Sequence, residues 1–126
     1  MREIKFRCWD KTDKKWLDPD EFAISSDGRA QTFGVYHPVE LSQFTGLQDK
    51  NGKDIYGGDI LEFESNSGTE RCYVDYMGEF ASFVIDYWKS GDKASKGDFL
   101  HKLVGINETS VEVIGNIHEN PELLNA

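Results

Sequence analysis

The segment TGLQDKNGKDIYGGDILEF, residues 45–63, carries the densest pattern of turn and strand signals in this chain. Its DKNGKD part places Asp49, Asn51 and Asp54 around Gly52, in a spacing similar to that of a calcium-binding loop. Its GGD part is similar to the glycine loops that hold phosphate groups. The first question is whether this segment binds a ligand or only folds the chain.

The calcium-binding hypothesis is excluded because the residues do not match the ligand positions of an EF-hand loop. An EF-hand loop requires oxygen ligands at its first, third and fifth positions, glycine at the sixth and a bidentate glutamate at the twelfth. Counted from Asp49, the fifth position is Lys53, the twelfth is Ile60, and Gly52 falls at the fourth. Asn-Gly is instead the favoured pair of a tight hairpin turn in which both central residues have positive φ. The pattern therefore predicts a structural turn at Asn51 and Gly52.

The phosphate reading fails as well. YGGDIL lacks the P-loop pattern, and Ile60 and Leu61 begin an apolar strand rather than a helix. We predict that Gly57 and Gly58 permit a sharp bend before a strand that starts at Asp59. The predicted structural motif comprises Gly46, Asp49, Asn51, Gly52, Ile55, Tyr56, Gly57, Gly58, Asp59 and Ile60.

Length and composition favour one folded domain. The chain has 126 residues, which is enough for a single core, and aromatic residues make up 13% of it. That aromatic share is typical of a packed, β-rich core. We predict one domain over residues 1–126, divided into an N-terminal hairpin region, 1–40, and a β-barrel-like unit, 41–126.

Charge is distributed unevenly along the chain. The net charge is -9, yet residues 1–16 hold six Lys and Arg against three Asp and Glu. Residues 17–126 hold eight basic against twenty acidic side chains. An acidic body repels phosphate groups, so this distribution makes nucleic-acid binding unlikely.

Neither targeting nor disulfide signals are present. The start of the chain has no apolar run, and no stretch approaches the roughly 20 apolar residues of a membrane span. We therefore expect a cytoplasmic protein without a membrane partner. Cys8 and Cys72 stand apart, without a CxxC motif, and are expected to be reduced thiols rather than zinc ligands or a disulfide.

Alternation of apolar and polar residues predicts short strands. Residues 2–18 are interpreted as a hairpin with Trp9 and Trp16 as cross-strand neighbours, although a ligand platform remains the alternative for the two rings. Further strands are predicted from residue 59, in RCYVDY, in residues 80–88 and in SVEVIGNI, whereas ELSQFTG could be a strand or one helical turn. Short strands with glycine turns are typical of a sandwich or a small barrel.

The remaining segments are a polar loop and a short tail. Residues 89–98 are rich in Gly, Ser and charge, and are predicted to be a mobile loop that a partner could order. In the tail, Asn120 can cap a helical turn, and Pro121 suits its first position. We therefore expect a short C-terminal helical turn.

Nothing in the sequence nominates a reaction. The three histidines form no HxH or HxxxH spacing, and no G-x-S-x-G elbow occurs. Acidic pairs are too abundant for any two to be chosen. We therefore expect no enzyme activity, no catalytic residues, no bound metal and no cofactor.

Three segments together resemble one known family. The chain resembles the YopX family of uncharacterised phage and prophage proteins in three segments, which occur in the same order as in the family. They are MREIKFRCWDKTDKKW, QFTGLQDKNGKDIYGGDILEF and VEVIGNIHENPELL. The family usually has glutamate immediately before the GDI triplet, where this chain has glycine, and often alanine in place of Cys8. The resemblance implies a mainly β fold with a small, partly open SH3-like barrel and a tendency to oligomerise. It carries no established activity and no catalytic residue.

These observations support three binding hypotheses. The first is a phage or prophage accessory module that self-associates and contacts an unknown host or phage protein. The second is an acidic inhibitor of a host nucleic-acid-binding protein, which requires acids clustered on one face. The third and weakest is direct nucleic-acid binding through the N-terminal hairpin. Its possible contact surface comprises Lys5, Arg7, Trp9, Lys11, Lys14, Lys15 and Trp16.

Overall fold

The fold is mainly β, with a curled half-barrel sheet, as the sequence predicted. The computed structural model describes residues 4–33, 38–65, 68–77, 82–86, 98–99 and 111–124. The chain divides into two compact units, Met1–Phe44 and Thr45–Ala126, which we call unit 1 and unit 2. Helical structure in the described residues consists of two short 3-10 turns.

Unit 1 begins with the predicted hairpin. Strand β1, Phe6–Asp10, pairs antiparallel with β2, Lys15–Trp16, and Trp9 lies directly opposite Trp16. The two indole rings meet edge to face with centroids 5.0 Å apart, which is a favourable geometry for an aromatic pair. The cross-strand interpretation of the two tryptophans is therefore confirmed.

An acidic side chain organises the turn of this hairpin. Asp10 is buried, and its Oδ1 accepts the backbone N–H groups of Thr12 and Asp13 at 2.8 and 3.0 Å. Aspartate favours such turns because its short side chain can replace a backbone acceptor. Lys14 completes the turn with a φ of 53°.

The rest of unit 1 consists of a 3-10 turn and two further pairings. The turn Pro19–Glu21 follows Asp18, whose N–H donates to Glu21 Oε2 at 2.7 Å. Strands β3, Phe22–Ile24, and β4, Ala30–Thr32, form an antiparallel ribbon. Strand β5, Val39–Gln48, pairs antiparallel with β1, so the ELSQFTG segment is a strand and not a helical turn.

Unit 2 contains a five-stranded sheet. Before it in the chain comes strand β6, Asp54–Tyr56, which is the neighbour of β5. The five-stranded sheet has the order β10-β9-β8-β7-β11, and all of its pairings are antiparallel. Its strands are β7, Asp59–Ser65; β8, Gly68–Met77; β9, Ser82–Asp86; β10, Asp98–Phe99; and β11, Glu112–Asn116.

The hydrophobic core of unit 2 follows from the alternation in β6, β7, β8 and β11. Val111 and Val113 are both buried on one face, as predicted, and so are Cys72 and Val74. Burying a side chain of this size stabilises the fold by about 1.5–3 kcal/mol. The buried cluster comprises Ile55, Leu61, Phe63, Cys72, Val74, Val111 and Val113, with Leu47 packed against it.

The turn in DKNGKD differs from the predicted tight Asn-Gly turn. Gly52 has a φ of +80°, but Asn51 does not have a positive φ, so the expected pair of positive values is wrong. Gly52 N–H donates to Asp49 O at 3.0 Å, and Asp49 N–H donates to Lys53 O at 2.8 Å. Lys50 and Asn51 are therefore the central residues, and Gly52 closes a three-residue loop in the left-handed conformation.

Several other predictions have definite outcomes. The tail forms the expected helical turn, Pro121–Leu124, and both cysteines are buried thiols that are not in a disulfide. The predicted loop 89–98 lies outside the described residues except for Asp98, which is part of β10 rather than of a loop. In the described ranges, no helix is long and apolar enough to cross a membrane. The division into sub-parts 1–40 and 41–126 stays a prediction.

The Gly52 conformation gives a direct test of the structural role of this turn. A Cβ at Gly52 would meet no atom within 4 Å, so a substitution acts through the backbone alone. Gly52→Val should destabilise the protein by about 2 kcal/mol, because a β-branched residue resists positive φ. We expect a melting temperature lower by roughly 5–10 °C in a thermal unfolding experiment.

The matched control at the same position is Gly52→Asn. Asparagine tolerates the left-handed conformation better than valine does, so this variant should lose much less stability. An unchanged melting temperature for Gly52→Val would show that the turn is not structural.

Candidate functional site

The carboxylate of Asp49 is the best-connected group in the central motif. Its Oδ1 accepts the N–H groups of Asn51 and Lys53, each at 2.9 Å, and its Oδ2 accepts the N–H of Val113 at 3.0 Å. The side chain is buried, with 8% of the residue exposed. Both oxygens are therefore bound to the backbone, and the group that suggested a calcium ligand instead joins its own turn to β11.

The environment of Asp49 favours its charged form. Burial acts to raise the pKa of this carboxyl, but hydrogen bonds from the N–H groups of Val113, Lys53 and Asn51 act against burial, as does the charge of Lys53. The balance holds the pKa of Asp49 below its ordinary value of 3.8. The carboxylate stays ionised and stabilises the turn over the whole neutral range.

The GGD bend also contains an aspartate that accepts a backbone N–H group. Tyr56 N–H donates to Asp59 Oδ2 at 2.8 Å, and Gly58 takes a φ of +87° between them. Gly58 also links two neighbours, because its N–H donates to Val74 O at 2.8 Å and its carbonyl accepts Ile117 N–H at 2.9 Å. These backbone groups hold β-structure together, which confirms the bend and the strand start at Asp59.

The other residues of the central motif lie in the core or in turns. Ile55 and Ile60 are fully buried, and Thr45 Oγ1 donates to Ile55 O at 2.7 Å. Gly46 has a φ of +89° within β5, and Gly57 lies in the turn before β7. Within the described ranges, no group of three or more His, Cys, Asp or Glu side chains could hold a metal ion.

The aromatic part of the predicted N-terminal contact surface is largely covered. Trp9 is only 7% exposed, so its ring is not available as a stacking platform for a base. Trp16 is half-buried, and the Arg7 guanidinium lies over it with Cζ 4.2 Å from the ring centroid. Lys5 Nζ lies 4.4 Å from the centroid of Phe44 in the same way.

The lysines of this surface have neighbouring acids. Lys11 Nζ lies 3.9 Å from Glu40 Oε2, and Lys15 Nζ lies 4.0 Å from Glu21 Oε1. Lys14 is exposed at the hairpin tip. The structure brings Arg7 and Trp16 together, and it places Lys5, Lys11 and Lys15 beside three other partners, two of which are acids.

An acidic cleft lies beside this hairpin, within unit 1. It has a volume of about 400 Å³, which is in the lower range of ligand-binding pockets. Leu17 is half-buried in its wall, and the Phe33 ring is 65% exposed at its edge. We call it the unit 1 cleft, and it is lined by Asp10, Asp13, Lys15, Leu17, Asp20, Glu21, Thr32 and Phe33.

The cysteines and histidines offer no nucleophilic arrangement in the described residues. Burial raises the pKa of the Cys8 thiol, and the charge of Asp10 raises it further. A thiol with a raised pKa is protonated near neutrality and is a poor nucleophile. His118 N–H donates to Asn116 Oδ1 in the turn after β11, whereas His37 and His101 lie outside the described residues.

The sequence interpretation missed two features of these sites. The acceptor role of Asp49 had a signal, since an aspartate two residues before an asparagine-glycine pair can accept the turn N–H groups. The unit 1 cleft had none, because its lining residues come from three separate segments of the sequence. Their proximity depends on the fold.

Comparison with known proteins identifies relatives of the whole chain. The family model described as "YopX protein" matches residues 5–125. The crystal structure of protein EF1440 from Enterococcus faecalis is 26% identical, with a TM-score of 0.65, and the match covers 99% of this chain and 100% of that one. The structure of protein yopX from Bacillus subtilis is 20% identical, with a TM-score of 0.59 and 98% of each chain covered, and it supports the fold alone. A search of the curated proteins finds no match.

The Asp49 hydrogen bonds give a prediction for stability and its pH dependence. Asp49→Asn should destabilise the protein by about 2–3 kcal/mol, because the amide NH₂ would face a backbone N–H donor. The lowered pKa means that the Asp49 contribution is complete above the ordinary value of 3.8 and is lost as pH falls through the lower folded value. Urea unfolding at several pH values would measure both effects.

Asp75→Asn is the control for this prediction. Asp75 is exposed, and its Oδ1 accepts only the neighbouring Tyr76 N–H among the bonds found for it. This variant should change the free energy of unfolding by less than about 0.5 kcal/mol. Equal urea midpoints for Asp49→Asn and the unmodified protein would contradict the role given to Asp49.

Proposed function

This chain belongs to the YopX family, and we propose that it acts as a non-catalytic module that binds another protein. Phage or prophage origin, action in the cytoplasm of the bacterial host and self-association belong to the same proposal. The observation that carries it is the unit 1 cleft, which combines exposed apolar surface with charged side chains. This combination is typical of a surface that recognises a protein segment.

The state of the buried polar groups supports a binding role over a catalytic one. The carboxylates of Asp10, Asp49 and Asp59 all accept backbone N–H groups close to their own turns. A general acid or base must instead reach a substrate proton from a suitable position. These three groups are occupied in holding the fold, and they leave recognition to the exposed side chains.

Phe33 is the best place to test the binding role. Its ring is 65% exposed at the edge of the unit 1 cleft. We expect Phe33→p-benzoylphenylalanine, expressed in host cells and irradiated, to form a covalent adduct with a bound protein. Mass spectrometry of the adduct would identify the partner, and an adduct of two copies of this chain would identify self-association.

Tyr76 provides the matched control position. It is 52% exposed in β8 of unit 2, and it does not line the cleft. The same photoreactive residue there should give little adduct. Equal adduct yields at Phe33 and Tyr76, or no adduct at either, would contradict protein binding at the unit 1 cleft.

A second candidate function is inhibition of a host nucleic-acid-binding protein by an acidic surface. Among the described residues, four carboxylates and a single lysine line the cleft, and the whole chain carries a net charge of -9. Such a mimic would release its partner as salt rises, because exposed charges are screened over about 10 Å at 0.1 M ionic strength.

Salt dependence separates this second candidate from a mainly apolar interaction. If the protein is an acidic mimic, the amount of co-purified partner, identified by crosslinking at position 33, should fall steeply between low and high salt. A partner that is retained at high salt contradicts mimicry. Direct nucleic-acid binding is the weakest hypothesis, since Trp9 is buried and two of the lysines lie beside acidic side chains. A flat titration against oligonucleotides at low salt is the expected result.

A further inference from the structure

The lining of the unit 1 cleft contains both apolar and charged side chains. Leu17 and the exposed Phe33 ring are its apolar part, and Thr32, the last residue of β4, directly precedes Phe33. An aromatic ring with this exposure gains free energy when a partner side chain covers it. A volume of about 400 Å³ admits individual side chains of an extended segment rather than a folded domain.

The charged part of the lining favours a cation. Asp13 and Asp20 are exposed, and Glu21 is half-buried, whereas Lys15 is the one basic side chain among the described residues of the lining. Asp10 is buried, and its Oδ1 already accepts two N–H groups of the hairpin turn. The accessible negative charge therefore comes mainly from Asp13, Asp20 and Glu21.

Lys15 and Glu21 form a weak pair across this lining. Their charged atoms are 4.0 Å apart, and the side chains are 53% and 41% exposed. Exposed pairs of this kind contribute little, about 0–1 kcal/mol. An incoming lysine or arginine can replace Lys15 beside Glu21 at small cost, since Glu21 Oε2 keeps its separate bond to Asp18 N–H.

We propose that the unit 1 cleft binds an extended peptide segment that carries both lysine or arginine and apolar residues. The apolar side chain covers Phe33 and Leu17, and the cationic side chains lie beside Asp13, Asp20 and Glu21. Lys15 competes with the ligand and limits its affinity. This inference rests on the proposed function as a protein-binding module and names the chemistry of its partner.

A labelled peptide is the direct probe. We expect fluorescein-Lys-Leu-Lys-Leu-Lys to bind the full chain in an anisotropy titration, and to bind more tightly than the matching Lys-Ser or Gln-Leu peptides. Asp13→Asn and Asp20→Asn should each weaken binding by about two- to fivefold, the range of an exposed charge pair. Phe33→Ala should weaken it by about fivefold or more.

Two variants make the test specific to the cleft. Lys15→Gln should tighten binding by about two- to fivefold, because it removes the competing cation. Glu40→Gln removes the same charge in unit 1 at an exposed position outside the lining, and should leave the affinity unchanged. A general effect of net charge would instead make Asp20→Asn and Glu40→Gln equivalent, which would overturn the proposal.

Other outcomes also decide the matter. Equal binding of the Lys-Leu and Lys-Ser peptides would reject the apolar contact, and absence of peptide binding would reject the inference outright. A change in oligomeric mass in Asp20→Asn without peptide binding would assign the cleft to a second copy of the chain. If photo-crosslinking at Phe33 captures a protein while these variants have no effect, the proposed function stands and this inference fails.

Discussion

The structure of unit 2 depends on a single buried carboxylate. Asp49 accepts two N–H groups from its own turn and a third from Val113, which is 64 positions later in the sequence. Lys50 N–H also donates to Val111 O, so the same turn is bonded both to β11 and to the residue that precedes it. A turn that is fixed in this way sets the position of the last strand, and with it two valines of the buried core.

Buried side chains that accept backbone N–H groups also occur at other strand ends. Asp10, Asp59 and Asn116 are buried, and each accepts backbone N–H groups within three residues of itself. A buried turn N–H without an acceptor would cost about 1–3 kcal/mol, so a short acidic or amide side chain stabilises each turn locally. Calcium loops use the same residue types because a cation and a set of N–H groups both need oxygen atoms around a tight bend. That shared requirement explains why the central segment has the composition of a ligand loop.

The sequence was sufficient where local signals decide the outcome. Trp9 and Trp16 pair across a polar turn, and Val111 and Val113 alternate into the core, because neighbours in the chain determine both features. The sequence was insufficient to predict the φ of Asn51, because that angle depends on a third turn residue and on the acceptor role of Asp49. Alternation also fails in β1, since Cys8, Trp9 and Asp10 are buried in succession. Trp9 is covered by Trp16, and the Asp10 carboxylate lies within its own turn.

The unit 1 cleft could not be predicted from the sequence, because no local signal marks the residues that line it. Its accessible acids, Asp13, Asp20 and Glu21, have no distinguishing spacing in a chain with 23 acidic residues. What separates them from Asp49 is exposure, because Asp49 is buried among backbone donors while Asp13 and Asp20 are exposed. A buried carboxylate such as Asp49, whose two oxygens both hold a turn, is not accessible to a partner's cation. Function in this fold is therefore expected among the exposed side chains, and the buried residues of the central motif are the least suited to it.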